Sequence, residues 1–125
     1  MPKRIRQKLT KSPMALTLAL LRRREYKYQI VETTIPKTFI KRDLFGCIDV
    51  LVMTDEHTIG IQVTSLDNLA ARTRKAMESE LMIAWLRNPG RRFVLHGWRK
   101  LDRNHTCKER ELRLASDGSI EVMEE

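Results

Sequence analysis

The stretch RDLFGCIDVLVMTDEHTIGIQVTS, residues 42–65, decides the fold. Two runs rich in aliphatic and β-branched residues, 47–53 and 58–64, flank the polar turn 54–57, and this pattern predicts an antiparallel β-hairpin. Asp49 lies inside the first run, although an ionised carboxylate that is buried without compensation costs roughly several kcal/mol. This conflict with the apolar pattern marks Asp49 as a candidate functional residue.

The apolar pattern also predicts which residues pair across the hairpin. A turn at 54–57 places Asp49 directly opposite Gln62 and leaves one side of the hairpin entirely apolar. That side comprises Ile48, Val50, Val52, Ile59, Ile61 and Val63. A shift of the pairing by one residue would divide this apolar set between the two faces. Burial of the apolar side therefore stabilises the predicted register over its alternatives. Asp49 and Gln62 are then expected on the other face, with Cβ atoms about 5 Å apart.

A carboxylate beside an amide carbonyl presents two oxygen ligands on adjacent strands. Mg²⁺ (or Mn²⁺) suits this pair, because Mg²⁺ takes few protein ligands and keeps several waters. Zn²⁺ suits it less well, because the sequence shows no cluster of residues at zinc-ligand spacing. The alternative is a buried Asp49 that is satisfied by hydrogen bonds from Gln62 and the backbone. The pair alone leaves both interpretations open.

The flanking sequence predicts the elements around the hairpin. Helices are expected from Ser12 to about Glu25 and from Ser65 to the NPG at 88–90, with a break near Glu78. Further strands are expected at 26–35, 91–98, 109–115 and 119–122. The order α-β-β-β-α-β-β-β predicts one α/β (α+β) domain over residues 12–125, with a mixed central sheet flanked by helices.

The positive charge of the chain is large and clustered. Lys and Arg number 24 against 16 acidic residues, which gives a formal net charge of +8 over 125 residues. The basic groups concentrate in residues 1–11, which we expect to form a flexible arm, and in Arg22, Arg23 and Arg24. Such clusters predict a polyanionic partner, and the abundance of arginine favours phosphate. A solubilising surface that binds nothing specific is the alternative.

The length of the apolar runs and the spacing of the cysteines indicate in which cellular compartment the protein is expected. The longest apolar stretch, 14–21, is far shorter than the roughly 20 residues that cross a bilayer, so no membrane partner is expected. Cys47 and Cys107 form neither a metal-binding spacing nor a disulfide framework, which suits a reducing cytoplasm.

With GCIDV on the first strand and IQVTS on the second, the hairpin resembles the core of PD-(D/E)XK nucleases. In that superfamily an Asp ends one strand, a (D/E)-x-K tripeptide lies on its partner, and a helix and strand before the hairpin and a helix after it complete the core. The run RDLFG…ID…IQVTS, with NLAARTRK and HGWRK, is also similar to small phage or bacterial proteins assigned to this superfamily. The resemblance covers about residues 14–100.

The resemblance implies a restriction-endonuclease-like core and a metal-dependent DNA endonuclease in a prokaryotic or phage-infected cell. It also assigns roles to positions. Asp49 matches the metal-binding Asp of the motif, and Gln62 matches the acidic position, where some members use a glutamine carbonyl. Thr64 falls where the family lysine stands, and threonine cannot supply its charge. Glu32 on the first strand, with Glu25 in reserve, is the expected additional metal ligand.

A substitute for the missing lysine is expected on the helix after the hairpin. Asn68, Arg72 and Lys75 are spaced i, i+4 and i+7, which places them on one helical face. If that face looks back towards Asp49, Lys75 or Arg72 would replace the motif lysine. A solvated polar stripe is the alternative.

Other basic residues are candidates for contacts with DNA. Lys41 and Arg42 are expected with Asp43 at the rim of the cleft. Arg99 and Lys100 follow Trp98, whose ring either stacks on a base or, as we favour, packs against the core.

Three functions follow from these features. The first is a Mg²⁺-dependent endonuclease that hydrolyses phosphodiester bonds, with branched DNA as the substrate that the resemblance to small Holliday-junction resolvases implies. Such an enzyme cuts two symmetric strands, so a homodimer is expected. The second is a catalytically inactive nucleic-acid-binding module on the same fold, which the missing lysine favours. The third is a basic structural protein that binds RNA or another protein.

Overall fold

The structure, a computed structural model, describes residues 6–34, 37 and 41–124. Within these ranges the chain forms nine strands and three helices. In chain order they are β1 (Arg6–Gln7), α1 (Pro13–Arg23), β2 (Lys27–Ile30), β3 (Thr33–Thr34), β4 (Lys41–Arg42), β5 (Val50–Met53), β6 (Thr58–Ser65), α2 (Leu66–Met77), α3 (Glu80–Leu86), β7 (Arg91–Leu101), β8 (Asn104–Leu114) and β9 (Ile120–Glu124). The predicted α+β class, a mixed sheet flanked by helices in a single domain, is confirmed.

The main sheet runs in the order β2-β5-β6-β7-β8-β9, and β1 pairs with β7. Strands β6 and β7 are parallel, whereas the other neighbours are antiparallel. A parallel pair needs a crossover connection, which here contains α2 and α3. As a result, the start of β5 and the ends of β6 and β7 meet at one edge of the sheet, which we call the upper edge.

From Val50 onwards the hairpin of β5 and β6 has the predicted register, since Val50 pairs with Ile61 and Val52 pairs with Ile59. At Asp49 the pairing departs from the prediction, because the Asp49 N–H donates to the Ile61 carbonyl at 2.8 Å and Asp49 forms no strand pair with Gln62. All four of the paired residues are buried. Burial of this apolar side therefore selects the register, as the alternation of the sequence predicts.

The prediction that the first hairpin strand begins at residue 47 is wrong. Residues before Val50 form a tight turn closed by mutual hydrogen bonds between Leu44 and Ile48, with Gly46 at φ +76°. This turn rotates Ile48 onto the face opposite Val50, where it packs over Gly60. The sequence placed Ile48 on the Val50 side because a continuous strand alternates strictly, and the turn interrupts that alternation.

Helices cover both faces of the sheet. On one face α1 packs Leu21 against the apolar residues of β5 and β6. On the other, Leu69 of α2 and Met82 of α3 pack against the buried apolar residues of β7 and β8, which are Phe93, Leu95 and Leu112. The predicted cap of α1 is confirmed, since Ser12 Oγ accepts the Ala15 N–H at 3.1 Å. None of the described helices is long and apolar enough to cross a membrane.

The strands predicted at 26–35, 91–98 and 109–115 have different bounds in the structure. The strand expected at 26–35 divides, because β2 ends at Ile30 and the next two N–H groups, of Val31 and Glu32, both donate to the Asp49 carbonyl, at 2.9 and 3.2 Å. Strands β7 and β8 continue into a hairpin that turns at Asp102, which has φ +54°. Most residues of that hairpin are polar, so its sequence lacks the apolar run from which a strand would be predicted.

The predicted flexible arm is in part attached to the sheet. Arg6 and Gln7 pair with Leu101 and Lys100 of β7, and Thr10 lies within 3.4 Å of His105 on β8. Residues 1–5 lie outside the described residues. The part of the arm that is described therefore runs along the upper edge of the sheet.

Candidate metal centre

A cavity of about 320 Å³ opens at the upper edge, between the first turn of α1, the end of β6 and the side of α2. We call it the acidic cavity. Its charged and amide-bearing lining residues are Glu32, Asp43, Asp49, Gln62 and Arg72. Both members of the predicted pair, Asp49 and Gln62, therefore face the same space, as does the predicted extra ligand Glu32.

Three carboxylates converge in the acidic cavity. Glu32, Asp43 and Asp49 each offer an oxygen atom, and these atoms lie within 4.8 Å of one another. Backbone contacts bring the three segments together: the Glu32 N–H donates to the Asp49 carbonyl, and the turn closed by Leu44 and Ile48 holds Asp43 beside Asp49. The sequence placed Asp43 at the rim of the cleft, whereas the structure makes it a member of the cluster.

Asp49 is the most buried carboxylate of the three, with 4% of its surface exposed. Its Oδ2 accepts the backbone N–H of Val63 at 2.8 Å. Burial, followed by the hydrogen bond with Asp43, raises the pKa of Asp49 to about 8, and the Val63 N–H opposes the shift. The cluster therefore holds a proton at neutral pH unless a cation offsets its charge.

Gln62 supplies a second kind of oxygen to the same space. Its side chain is 2% exposed and lines the acidic cavity. Within the described part of the chain the Gln62 amide makes no hydrogen bond, and its atoms border the cavity instead of being sealed in the core. The amide is therefore open to the cavity and can turn its oxygen towards a ligand that enters it.

The structure distinguishes between the two candidate cations of α2. Arg72 lines the acidic cavity, whereas Lys75, one turn later, is not among its lining residues. Lys75 lies near Cys47 instead: burial, then Asp43 and Asp49, raise the pKa of the Cys47 thiol to about 11, and the Lys75 charge opposes this shift. Arg72 is therefore the cation that the fold brings to the carboxylates.

Thr64, at the position of the motif lysine, does not reach the cavity. It is 7% exposed and sits on β6 beside Gly97 of the parallel neighbour β7. Residue 64 lies two positions beyond Gln62, and α2 covers this part of the sheet. The structure therefore gives Thr64 a place in the packing between α2 and the sheet.

Two further predicted DNA contacts lie near the acidic cavity. Arg42 is exposed and directly precedes Asp43, and Asn68 is exposed one helical turn before Arg72. Lys41 pairs through its backbone with Thr34, and its side chain lies outside what is described. Arg42 and Asn68 are thus neighbours of residues that line the acidic cavity, Arg42 in sequence and Asn68 along α2.

The arginines that end α1 lie away from the acidic cavity. Pro13 borders the cavity, and Arg22 is nine residues further along the helix, a distance of about 14 Å. Arg22 Nε donates to the Tyr28 hydroxyl at 3.0 Å, and Arg24 Nη1 donates to Glu109 at 3.1 Å. Arg23 is exposed. These residues could contact only a more distant part of a long polyanion.

Arg99 and Lys100 extend from β7 past the last residue pair that β7 makes with β6, Ser65 with Trp98. Arg99 is exposed, and its Nε donates to Thr106 at 3.1 Å. Trp98 is 4% exposed, which agrees with core packing rather than base stacking. This pair of cations therefore lies at the upper edge, near the described part of the basic arm.

A comparison of the chain with protein-family models, with curated proteins and with solved structures finds no match. The interpretation of the acidic cavity therefore rests on the chemistry of its residues and on the resemblance of the hairpin sequence.

Proposed function

We propose that the protein is a divalent-metal-dependent endonuclease that hydrolyses DNA phosphodiester bonds in the acidic cavity. One observation supports this above all. Three carboxylates from separate segments and one amide that makes no hydrogen bond within the described residues share a single cavity at the upper edge. The amide matters because clustered surface acids are common in proteins, whereas here an amide carbonyl beside them adds a further oxygen ligand.

The donor set suits Mg²⁺ or Mn²⁺. The carboxylates of Glu32, Asp43 and Asp49 and the carbonyl oxygen of Gln62 are hard oxygen ligands, and the residues that line the cavity include neither cysteine nor histidine. When bound there, the ion would polarise a phosphate and lower the pKa of an attacking water.

Arg72 takes the place of the missing motif lysine. Its guanidinium can donate two hydrogen bonds to phosphate oxygens. A fixed positive charge beside the reacting phosphate stabilises negative charge that develops in the transition state. Arg42 and Asn68, next to residues that line the acidic cavity, are placed to contact neighbouring phosphates.

The element order agrees with this proposal. Helix α1 and strand β2 precede the hairpin of β5 and β6, and α2 follows it, which is the arrangement that the resemblance to PD-(D/E)XK nucleases implies. The net charge of +8 favours a polyanionic substrate. The substrate class implied by that resemblance is branched DNA, whose two symmetric cuts require two copies of the cavity in a homodimer.

Plasmid and four-way-junction cleavage with Mg²⁺ and Mn²⁺ tests the proposal. Asp49→Asn keeps the shape of the side chain and removes its charge, so we expect cleavage to fall on the order of 100-fold or more while DNA binding persists. The matched control is Asp55→Asn, which removes an exposed carboxylate at the opposite end of the hairpin and should cut like wild type.

Thr64 in place of lysine favours a second candidate, a nucleic-acid-binding module that does not cut. Wild-type protein that binds DNA but never cleaves it with either metal would establish this alternative and reject the endonuclease. Equal cleavage by wild type and Asp49→Asn would show that the reaction does not take place in the acidic cavity.

A further inference from the structure

A second group of metal-ligating side chains lies on β7 and β8, away from the acidic cavity. His96 and Glu109 are a cross-strand pair, and Cys107 occupies the next position on the same face, opposite Trp98. One ligand atom from each of His96, Cys107 and Glu109 lies within 4.8 Å of the other two. The acidic cavity gathers carboxylate and amide oxygens, whereas this group combines an imidazole nitrogen, a thiol sulfur and a carboxylate oxygen.

The His96 ring is held in place from behind. Its Nδ1 is hydrogen-bonded to Thr17 Oγ1 at 3.1 Å, and the same hydroxyl accepts the Trp98 indole N–H at 2.8 Å. Thr17 is fully buried and His96 is 1% exposed. Metal-binding histidines usually have their second ring nitrogen fixed in this manner, since it sets the direction of the ligating nitrogen. Here the fixed ring directs Nε2 towards Glu109.

The spacing of the ligand atoms is close to that of a coordination sphere. His96 Nε2 and Glu109 Oε1 are 3.1 Å apart. With zinc–ligand distances near 2.0–2.1 Å, the edge of a tetrahedron is about 3.3 Å. The His96–Glu109 spacing is thus close to that edge, and the Cys107 Sγ, which lies within 4.8 Å of a ligand atom of each of the other two residues, would have to move towards the ion.

The group also has an open side. His96 and Glu109 line a cavity of about 430 Å³, which Arg24 borders. Arg24 and His96 both contact Oε1 of Glu109, and within the described residues no hydrogen bond reaches Oε2. A carboxylate oxygen is thus available to an ion, and the cavity admits water as a fourth ligand.

We propose that His96, Cys107 and Glu109 form a second metal site, for a borderline-soft divalent cation of the Zn²⁺ class, with its fourth position open to the larger cavity. A thiolate and a carboxylate balance the charge of the ion, and Arg24 is 43% exposed at its side chain and can turn outwards. Three protein ligands of mixed type with one exchangeable position are typical of zinc sites that bind a water or a substrate.

Cobalt binding tests the second site. Asp49→Asn protein, in which the acidic cavity is weakened, should bind one Co²⁺ and show thiolate-to-cobalt charge transfer together with tetrahedral d–d bands. Adding Cys107→Ser should abolish the charge transfer and weaken Zn²⁺ binding by at least about 10-fold in a competition assay with a chromogenic chelator. Cys47→Ser in the same background is the control, because it changes the other free cysteine, and it should keep both signals.

A second measurement needs no variant at the site. Zn²⁺ should slow alkylation of the Cys107 thiol, mapped by mass spectrometry, by at least about 10-fold, whereas Mg²⁺ should have no effect. Absence of thiolate charge transfer, or Cys107 alkylation that is insensitive to Zn²⁺, would show that the three residues form only a hydrogen-bonded network. Neither outcome bears on DNA cleavage, so the two proposals fail separately.

Discussion

Asp49 Oδ2 accepts the backbone N–H of Val63 at 2.8 Å. Asp49 directly precedes the first residue of β5. Its side chain, and not the backbone of a neighbouring strand, therefore accepts the Val63 N–H. The same residue uses its own N–H for Ile61 and its carbonyl for Val31 and Glu32. Hydrogen bonds therefore hold both the backbone and the side chain of Asp49 in place. Its second carboxylate oxygen can interact with Asp43 or with a cation.

The pH dependence of stability should reveal the protonation of Asp49. Its pKa in the folded protein is about 8, above the value near 3.9 of an unfolded chain. The folded state therefore binds more protons at Asp49 between these values, so the contribution of Asp49 to the free energy of unfolding is largest below about pH 4 and is lost as the pH rises to about 8. Urea denaturation of metal-free protein at half-unit intervals of pH measures this decline.

Asp49→Asn should flatten that decline, because the amide mimics the protonated acid, and should be more stable than wild type at pH 8. Adding Mg²⁺ at pH 8 should raise the free energy of unfolding of wild type but not of the variant. A wild-type curve that does not decline relative to the Asp49→Asn curve between pH 5 and pH 8 would contradict the raised pKa of Asp49.

Substitutions on α2 should distinguish Arg72 from Lys75. Arg72 lines the acidic cavity, so we expect Arg72→Ala to reduce kcat for cleavage on the order of 100-fold, and Arg72→Lys to retain part of the rate because it keeps the charge but loses the planar fork. Lys75→Ala should change kcat only a few-fold. Single-turnover cleavage at saturating Mg²⁺ measures these rates.

Arg74→Ala is the matched control on α2, since Arg74 is exposed on the same helix and does not line the acidic cavity. If Lys75→Ala were the more damaging substitution, the assignment of Arg72 would be wrong.

Gln62 should show opposite effects on metal binding and on stability. Gln62→Leu has a similar volume and removes an amide that has no hydrogen bond among the described residues, so the metal-free protein should be as stable as wild type or slightly more stable. Its Mg²⁺ affinity should fall about 10-fold, because an oxygen ligand is lost. Calorimetric titration with Mn²⁺ and thermal unfolding measure the two quantities.

Gln62→Glu should move both quantities the other way, with tighter Mn²⁺ binding and a less stable metal-free protein, since a fourth carboxylate adds repulsion. A large loss of stability in Gln62→Leu would instead indicate that the amide is a structural residue.

The contact between Gly60 and Ile48 should be tight enough to measure. A Cβ added at Gly60 would lie 2.7 Å from Ile48 Cδ1, so Gly60→Ala should destabilise the protein by about 1–3 kcal/mol. Ile48→Val removes the clashing methyl group, and the double variant should recover much of that loss. A double-mutant cycle by chemical denaturation gives the coupling energy, and simple additivity would contradict the packing of Ile48 on this face.

Much of the fold could be predicted from local sequence. The alternation of β5 and β6 determined their register, the Ser12-Pro13 pair determined the start of α1, and Asp117-Gly118 marked the last hairpin, where Gly118 has φ +87°. Period and turn chemistry act between residues near in the chain, so a sequence displays them directly. The same local rule predicted that Asp49 and Gln62 would lie close together, and both line the acidic cavity.

The composition of both candidate sites was decided only by tertiary structure. Asp43 joins Asp49 because an irregular turn interrupts the strand, Arg72 rather than Lys75 reaches the cavity because of how α2 packs, and His96 meets Cys107 and Glu109 because two strands pair. Such contacts depend on the path and packing of segments that are separated along the chain. Spacing along the chain predicts which side chains share one face of a helix or strand. Which of these faces contact each other is decided only when the sheet and helices pack together.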